Sequence, residues 1–289
     1  MIKQLIKQWL GRAGYTIVRT DQYLVNQMQA EAAKHSHGSS TPPPLSPGMA
    51  PANPSEIYTP IFNYDGLMTD PRVIHNHDFM RDPRYVRSYR LGEAALGHDH
   101  KMFWRLHVAL WCASQAAKLP GDFVECGVWR GFLSTAIIEY VDWAKLGKTF
   151  YLFDTYKGLD ERYLTDVERA NTQKLEHFNK FYVDCYDFVK GHFAQYPRVE
   201  VIRGSVPDTL TQVQIDKVSF LSIDMNCAPP EIAAAHFFWD KLVPGAMVLL
   251  DDYGFVSYEE QKIAFDAFAK EKCVDILALP SGQGLIIKT

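Results

Sequence analysis

From about residue 103 onward, short apolar runs alternate with amphipathic segments. Residues 104–119 carry their apolar positions at helical spacing, and the later apolar runs are each four to seven residues long. Nearly continuous apolar strands separated by helices are typical of a parallel sheet that is covered on both faces. The predicted strands are 123–126, 149–154, 199–202, 218–224 and 246–251.

The last part of the chain predicts a β-hairpin, because VDILAL and LIIKT flank the turn sequence PSGQG. Together these elements predict a Rossmann-like α/β fold. Its seven-stranded sheet is mostly parallel with an antiparallel last strand, and helices cover both faces. Pro229 and Pro230 suit the first turn of one helix, and residues 257–260 have the spacing of a capping box for another.

The first hundred residues differ in character from the rest. Residues 1–34 form an amphipathic segment in which Ile2, Leu5 and Trp9 recur at helical spacing among basic residues. We expect this helix to pack on its own domain or on a second subunit, which makes a homo-oligomer possible. An alternative is a helix lying on an anionic membrane surface. Residues 35–55 are a proline-rich linker, and residues 56–103 predict an irregular cap or lid before a catalytic domain at 104–289.

Composition narrows the class of protein. The chain has 289 residues and a formal net charge of −4, which argues against nucleic-acid binding. No apolar run reaches the roughly 18 residues that a transmembrane helix needs, and the first residues lack the apolar region of a secretory signal. The five cysteines show no CxxC spacing that would indicate a zinc site. We therefore expect a reduced, cytoplasmic protein.

A glycine turn follows the first predicted strand. Gly127 lies where a backbone can approach a ligand closely, and the next helix offers free N–H groups. The dinucleotide fingerprint GxGxxG is absent, and Glu125 precedes the turn, where an acid suits a cationic ligand such as the ammonium of a methionine moiety. Asp154 ends the second strand, where a carboxylate can accept ribose hydroxyls. The pattern favours an adenosyl ligand over the alternative of a packing glycine and a buried ion-pair partner.

Three carboxylates follow two neighbouring strands. Asp224 closes the fourth predicted strand, and Asp251 and Asp252 follow the fifth. Because the carboxyl ends of parallel strands meet at one edge of a sheet, these side chains converge, and their like charges require protonation, pairing or a cation. Oxygen ligands at an open site suit Mg²⁺, which could lower the pKa of an acceptor hydroxyl. The alternative is a helix cap with a solvated strand end.

Five segments resemble the macrocin O-methyltransferase (TylF/MycF-type) family of class I methyltransferases: FVECGVWRG (123–131), FDTYKGL (153–159), GSVPDTL (204–210), LSID (221–224) and LVPGAMVLLDDYG (242–254). The resemblance implies a Mg²⁺-dependent enzyme that methylates sugar hydroxyls of natural products with S-adenosylmethionine. It also implies that Asp224, Asp251 and Asp252 bind the metal. Because one carboxylate has two oxygens, we expect Asp224 to be the catalytic proton acceptor as well as a metal ligand. By the resemblance, Glu125, Gly127 and Trp129 line the methionine end of the cofactor, Asp154 holds the ribose and Ser205 lies near the adenine. The full set of predicted cofactor-binding residues also includes Cys126, Val128, Ser134 and Gly204.

The chain departs from the family pattern after Asp224. The family usually has a second acid two positions later, where this chain has Asn226, which can be an oxygen ligand but not a base. His177 and His192 are weaker candidates for the base, since each is more typical of a surface residue. Two other functions stay open, a metal-dependent glycosyltransferase and a non-catalytic adenosyl-binding scaffold. The expected acceptor is a small or glycosylated molecule.

Overall fold

A computed structural model of the chain describes residues 77–289. Three predictions lie outside the described residues: the amphipathic segment, the proline-rich linker and an oligomer contact through residues 1–60. The boundaries predicted for the four segments of the chain remain predictions.

The described residues form one seven-stranded sheet. Its strand order is β3-β2-β1-β4-β5-β7-β6, in which β1 to β5 are parallel and β7 is antiparallel to both of its neighbours. This order confirms the predicted fold class. The strands are β1 (Asp122–Cys126), β2 (Phe150–Asp154), β3 (Val199–Arg203), β4 (Val218–Ile223), β5 (Leu242–Leu250), β6 (Leu277–Ala278) and β7 (Gly284–Ile287).

Strand order explains where a ligand can bind. The chain proceeds outward from β1 through β2 to β3 and then crosses back to β4 on the other side of β1. A crevice opens at such a topological switch point, beyond the carboxyl ends of the strands. Asp224 directly follows β4, and Asp251 directly follows β5, so both lie at that edge.

Eight α-helices accompany the sheet within residues 77–289, with short 3₁₀ helices at Asp78–Arg81, Trp143–Lys145 and Glu161–Tyr163. The segment between β2 and β3 contains three of the α-helices. The α-helices are α1 (Pro83–Leu96), α2 (Phe103–Ala116), α3 (Phe132–Tyr140), α4 (Asp166–Ala170), α5 (Thr172–Phe181), α6 (Tyr186–Phe193), α7 (Ala228–Trp239) and α8 (Glu259–Lys272).

The cap is more regular than predicted. Residues 83–96 were expected to be irregular, but they form the helix α1, which begins with a proline in its first turn. The side chain of Asp82 accepts a hydrogen bond from the Arg84 N–H, and Gly97 ends the helix with φ 91°. Gly92 lets α1 approach α3, because a Cβ at this position would lie 2.7 Å from the Phe132 carbonyl oxygen.

Helix starts were predicted with mixed success. Pro229 and Pro230 do lie in the first turn of α7. The predicted capping box at residues 257–260 is wrong, since α8 begins at Glu259 and Ser257 has a φ of 76°. A complete capping box instead joins Thr165 and Glu168 at the start of α4.

Buried side chains on both faces of the sheet account for the continuous apolar strands. Phe123, Phe150 and Phe220 belong to the core cluster on one face, whereas Val124 and Phe153 belong to the cluster on the other. A central strand packed in this way has no solvent-facing positions, so its sequence does not alternate. Among the helices of residues 77–289, none is long and apolar enough to cross a membrane.

Candidate active site

A cavity of about 830 Å³ opens at the carboxyl edge of the sheet. Cys126 and Ser134 were predicted to contact the cofactor but do not line it. Cys126 is fully buried in a core cluster, and Ser134 lies behind Glu125. The other predicted site residues all line this cavity: Glu125, Gly127, Val128, Trp129, Asp154, Gly204, Ser205, Asp224, Asp251 and Asp252.

Gly127 is required by a close approach of two strand ends. Its φ is 94°, and a Cβ on it would lie 1.7 Å from the carbonyl oxygen of Asp224. The Gly127 N–H donates to the carbonyl of Phe153 at 2.8 Å, and the Asp224 N–H donates to the carbonyl of Cys126 at 2.8 Å. The glycine therefore brings the turn after β1 against the end of β4, an approach to the chain itself rather than only to a ligand.

Asp154 holds the glycine turn in place. Its Oδ2 accepts hydrogen bonds from the N–H groups of Val128 at 2.6 Å and Trp129 at 2.7 Å. Its Oδ1 accepts from the N–H of Tyr156 at 2.6 Å and from the Thr155 hydroxyl at 3.3 Å. Because a carboxylate offers about four acceptor positions, these donors fill most of its capacity. A ribose hydroxyl would have to share or replace one of them.

Glu125 is a buried carboxyl that faces the cavity. It is 2% exposed, and the hydroxyl of Ser134 donates to its Oε2. The pKa of Glu125 is raised to about 8, chiefly by burial and to a smaller extent by the nearby carboxylates of Asp154 and Asp251, while the hydrogen bond from Ser134 opposes the shift. A buried carboxyl with a raised pKa favours binding of a cationic ligand, because the cation stabilises the ionised form of the carboxyl.

Glu125 should make the stability of the unliganded protein depend on pH. Its pKa is about 8 in the folded protein and near 4.5 in the unfolded chain, so the folded state holds the extra proton between these values. The stabilisation is complete below pH 4.5 and is lost as the pH rises through 8, at about 1.4 kcal/mol per pH unit. Urea unfolding at several pH values should therefore show Glu125→Gln gaining stability relative to the unsubstituted protein as pH rises. Parallel profiles would contradict this expectation.

A second polar group lies beyond β3. The hydroxyl of Ser205 donates to Asp160 at 2.5 Å, and the guanidinium of Arg162 pairs with Asp160 at 2.6 Å and with Asp208 at 2.9 Å. Arg162 holds the pKa of Asp160 well below its usual range. Ser205 was predicted to lie near the adenine, and its pairing with Asp160 gives that wall of the cavity an ionised carboxylate.

Helix α5 contributes an aromatic wall. His177 lines the cavity and stacks on Phe181, with ring centroids 5.7 Å apart and an interplanar angle of 15°. Phe181 in turn lies 4.8 Å from the ring of Trp129 in the glycine turn. His192 does not line the cavity, and its Nε2 is 2.9 Å from the hydroxyl of Thr135. Of the two histidines considered as a base, only His177 is near the site.

A polar chain joins this wall to Asp224. Lys174 of α5 donates to the carbonyl of Ser257 at 3.1 Å and lies 3.4 Å from the ring centroid of Tyr258. The Tyr258 hydroxyl donates to Oδ1 of Asn226 at 2.8 Å, and the Asn226 amide donates to Oδ1 of Asp224 at 3.2 Å. Asn226 therefore orients the carboxyl of Asp224.

The three predicted carboxylates do converge. Burial raises the pKa of Asp224 well above its usual range, and the neighbouring Asp251 and Asp252 raise it further. Burial also raises the pKa of Asp252 to about 6, although Arg105 opposes this shift. These shifts are the expected result of placing like charges together in a poorly solvated site.

The carboxylates of Asp224, Asp251 and Asp252 offer the oxygen ligands that a divalent cation prefers. Oxygen ligands are those that Mg²⁺ prefers, and Oδ2 of Asp252 is buried with no hydrogen-bond partner among residues 77–289. Within the same residues, no group of three His, Cys, Asp or Glu side chains has the arrangement of a metal site. The cation paired with Asp251 in this structure is Arg105.

Sequence reasoning missed several residues of the site. Arg105, Lys174 and Tyr258 all line the cavity, as does Gln283, which donates to Oδ1 of Asp251 at 3.2 Å. Arg105 had one available signal: it is a charged residue on the apolar face of α2, in line with Ala109 and Cys112. Gln283 comes from the turn before β7 and had no such signal.

Comparison with known families gives a match over more than half of the chain. Residues 100–276 match the profile of the family described as Macrocin-O-methyltransferase (TylF). The matched range contains all five sequence segments that carried the resemblance.

Three curated relatives are O-methyltransferases. The 8-demethyl-8-(2,3-dimethoxy-alpha-L-rhamnosyl)-tetracenomycin-C 4'-O-methyltransferase of Streptomyces olivaceus is 24% identical over 143 residues, which are 47% of this chain and 54% of that protein. The demethyldecarbamoylnovobiocin O-methyltransferase of Streptomyces niveus is 27% identical, over 47% and 53% of the two chains. The mycinamicin III 3''-O-methyltransferase of Micromonospora griseorubida is 24% identical, over 52% and 62%. The chain thus spans only about half to three fifths of these relatives.

A solved structure shows the same fold. The O-methyltransferase NovP superposes with a TM-score of 0.56 at 22% sequence identity, over 66% of this chain and 82% of NovP.

Proposed function

The chain belongs to the macrocin O-methyltransferase family, and from that premise we propose that it is an S-adenosylmethionine-dependent O-methyltransferase. Its proposed acceptor is a sugar or polyol hydroxyl of a glycosylated natural product or related metabolite. Two relatives support this class by name, one acting on a rhamnosyl tetracenomycin and one on mycinamicin III. A small molecule is therefore the proposed partner, and a cytoplasmic location remains a prediction.

One observation carries the proposal: Glu125 presents a buried carboxyl to the cavity beside the glycine turn. The donor has an ammonium group that can pair with this carboxyl, and the pairing favours the ionised form. The rest of the cavity supplies Asp154 near the turn and Ser205 beside Asp160 for the adenosine part. The acceptor would then lie toward Asp224 and the aromatic wall of Trp129 and Phe181.

Methyl transfer needs a deprotonated acceptor in line with the methyl group. The acceptor oxygen forms a bond to the methyl carbon while the carbon–sulfur bond breaks, and the electron pair stays on sulfur as a neutral thioether. The hydroxyl proton passes to Asp224, because a carboxylate has two oxygens and can be both a metal ligand and a proton acceptor. The Asn226 amide, which donates to Asp224 at 3.2 Å, keeps this carboxyl oriented.

Mg²⁺ is the proposed metal. Asp224, Asp251 and Asp252 would hold it, and the buried Oδ2 of Asp252, which has no hydrogen-bond partner among the described residues, supports this assignment. A bound divalent ion would lower the pKa of the acceptor hydroxyl and fix its position.

Isothermal calorimetry tests the function directly. We expect S-adenosylmethionine to bind. A nucleotide sugar with Mg²⁺ should give no heat of binding, because the buried Glu125 suits a cationic donor and would have no role in a glycosyltransferase. Mass spectrometry should then detect methylated product from an acceptor panel that includes mycinamicin III and demethyldecarbamoylnovobiocin. Absence of S-adenosylmethionine binding would overturn the proposal, and binding without transfer to any glycosylated acceptor would favour a scaffold.

The same titration tests the role of Glu125. Glu125→Gln should weaken S-adenosylmethionine binding about 10- to 100-fold, the usual range for losing a hydrogen bond to a charged group. Glu231→Gln is a matched control, because Glu231 is 3% exposed and also has a raised pKa but does not line the cavity. Its affinity should stay within about threefold of the unsubstituted value. Equal losses of affinity in both variants would show that Glu125 does not bind the methyl donor.

A further inference from the structure

Arg105 is a buried cation in contact with two of the three carboxylates. It is 3% exposed, and its Nη2 forms an ion pair with Oδ2 of Asp251. The same nitrogen donates to the carbonyl of Asp251 at 2.5 Å, and Nε donates to Oδ1 at 3.2 Å. Nη2 also lies 3.4 Å from Oδ1 of Asp252. One guanidinium thus contacts both carboxylate oxygens of Asp251 and reaches its neighbour.

Neighbouring groups fix Arg105 in this position. Its guanidinium lies 4.7 Å from the ring centroid of Phe255, at cation–π distance. Gln283 donates to the carbonyl of Arg105 at 3.5 Å and to Oδ1 of Asp251 at 3.2 Å, so it ties the helix to the aspartate. The fork of an arginine matches the two oxygens of a carboxylate, which a lysine cannot do. The pair is therefore built into the packing of α2 against the end of β5.

The formal charges of the cluster leave a place for one divalent ion. Three aspartates and one arginine sum to two negative charges, which a single divalent cation would neutralise. The other two carboxyls have fewer contacts with Arg105. Oδ2 of Asp252 lacks a hydrogen-bond partner within residues 77–289, and Asp224 accepts from the Asn226 amide and shares a hydrogen bond with Asp251. Asp251, by contrast, already has a cation on both oxygens.

We propose that Arg105 is a positioning residue for the carboxylate cluster. It holds the cluster together when no metal is bound, and it competes with a divalent cation for Asp251. Arg105 therefore sets the affinity of the metal site. The inference rests on the proposed metal site but does not require methyl transfer.

A titration with Mn²⁺, which shares the preference of Mg²⁺ for oxygen ligands, tests this competition. Free Mn²⁺ is followed by its electron paramagnetic resonance signal, with neither methyl donor nor acceptor present. Arg105→Met removes the charge and should lower the dissociation constant for Mn²⁺ at least about tenfold, since a neighbouring positive charge opposes metal binding. The melting temperature of the metal-free variant should fall, and Mn²⁺ should raise it by more than in the unsubstituted protein.

Two further variants keep the result interpretable. Arg105→Lys retains the charge but loses the fork, and its Mn²⁺ affinity should rise by at least about threefold even if methionine is not tolerated. Arg198→Met is the control, because the Arg198 guanidinium donates to the carbonyls of Lys148 and Ala144 and is not part of the cluster. Its affinity should not change. Equal affinities in all proteins, or no Mn²⁺ binding by any of them, would overturn the inference and leave S-adenosylmethionine binding untouched.

Discussion

Gly127→Ala is expected to abolish binding of S-adenosylmethionine and to lower the free energy of unfolding by at least about 3 kcal/mol. A Cβ at this position would lie 1.7 Å from the carbonyl oxygen of Asp224 and 2.4 Å from its carbonyl carbon. These are backbone atoms of a central strand end, so no side-chain rotation can relieve the clash. The ends of β1 and β4 would have to separate, which displaces Glu125, Asp224 and the turn together.

Gly97→Ala provides a matched control. Gly97 has a φ of 91°, close to the 94° of Gly127, but a Cβ on it would meet nothing within 4 Å. The control therefore carries the backbone penalty of a left-handed alanine, about 1–2 kcal/mol, without the clash. Chemical unfolding and calorimetry on both variants separate the two effects. If Gly127→Ala lost no more stability than Gly97→Ala and still bound the donor, the close approach would not be what requires the glycine.

The strands, and the sheet edge at which the site lies, could be predicted because the burial of a strand determines its local sequence pattern. Strands that are packed on both faces have no solvent-facing positions, so residues 123–126 are apolar except for the buried Glu125 of the site. Parallel strands also place the residues just past their carboxyl ends at one edge of the sheet, and Asp224, Asp251 and Asp252 could be grouped on that ground alone. The prediction succeeded where the physical constraint acts within a few residues.

Contacts between distant segments could not be predicted in the same way. Asp154 was expected to accept ribose hydroxyls, but it also holds the N–H groups of Val128 and Trp129, about 25 residues earlier in the chain. Arg105 meets Asp251 across 146 residues. The capping box predicted at Ser257 failed for a local reason: the Ser257 N–H donates to Glu259 at 3.0 Å, and the backbone takes a φ of 76°.

Asn226 bears on which residue of the site can accept the proton of the acceptor hydroxyl. Where the family usually has a second acid, this chain has an amide whose oxygen accepts from Tyr258 and whose nitrogen donates to Asp224. An amide cannot take a proton, so the carboxyl of Asp224 is the group nearest to it that can. Asp251 forms an ion pair with Arg105, so its oxygens already contact a cation. In the proposed mechanism, proton transfer would therefore depend on Asp224.

Asp224→Asn is therefore expected to lower kcat by about 10²- to 10⁴-fold, the usual range for loss of a general base, while binding of S-adenosylmethionine changes little. The substituted amide keeps an oxygen for the Asn226 donor, so the local hydrogen bond survives. The proton acceptor is lost, together with one negative charge of the proposed metal site. Asp122→Asn is the matched control, because Asp122 lies at the start of β1, at the opposite end of the strand from the cavity, and its oxygen accepts from the Thr149 N–H. Single-turnover methyl transfer, measured with whichever panel acceptor reacts, should be normal in the control and nearly absent in Asp224→Asn. If the Asp224 variant kept more than about a tenth of its rate, another group would have to accept the proton, and His177 on the aromatic wall would be the next to test.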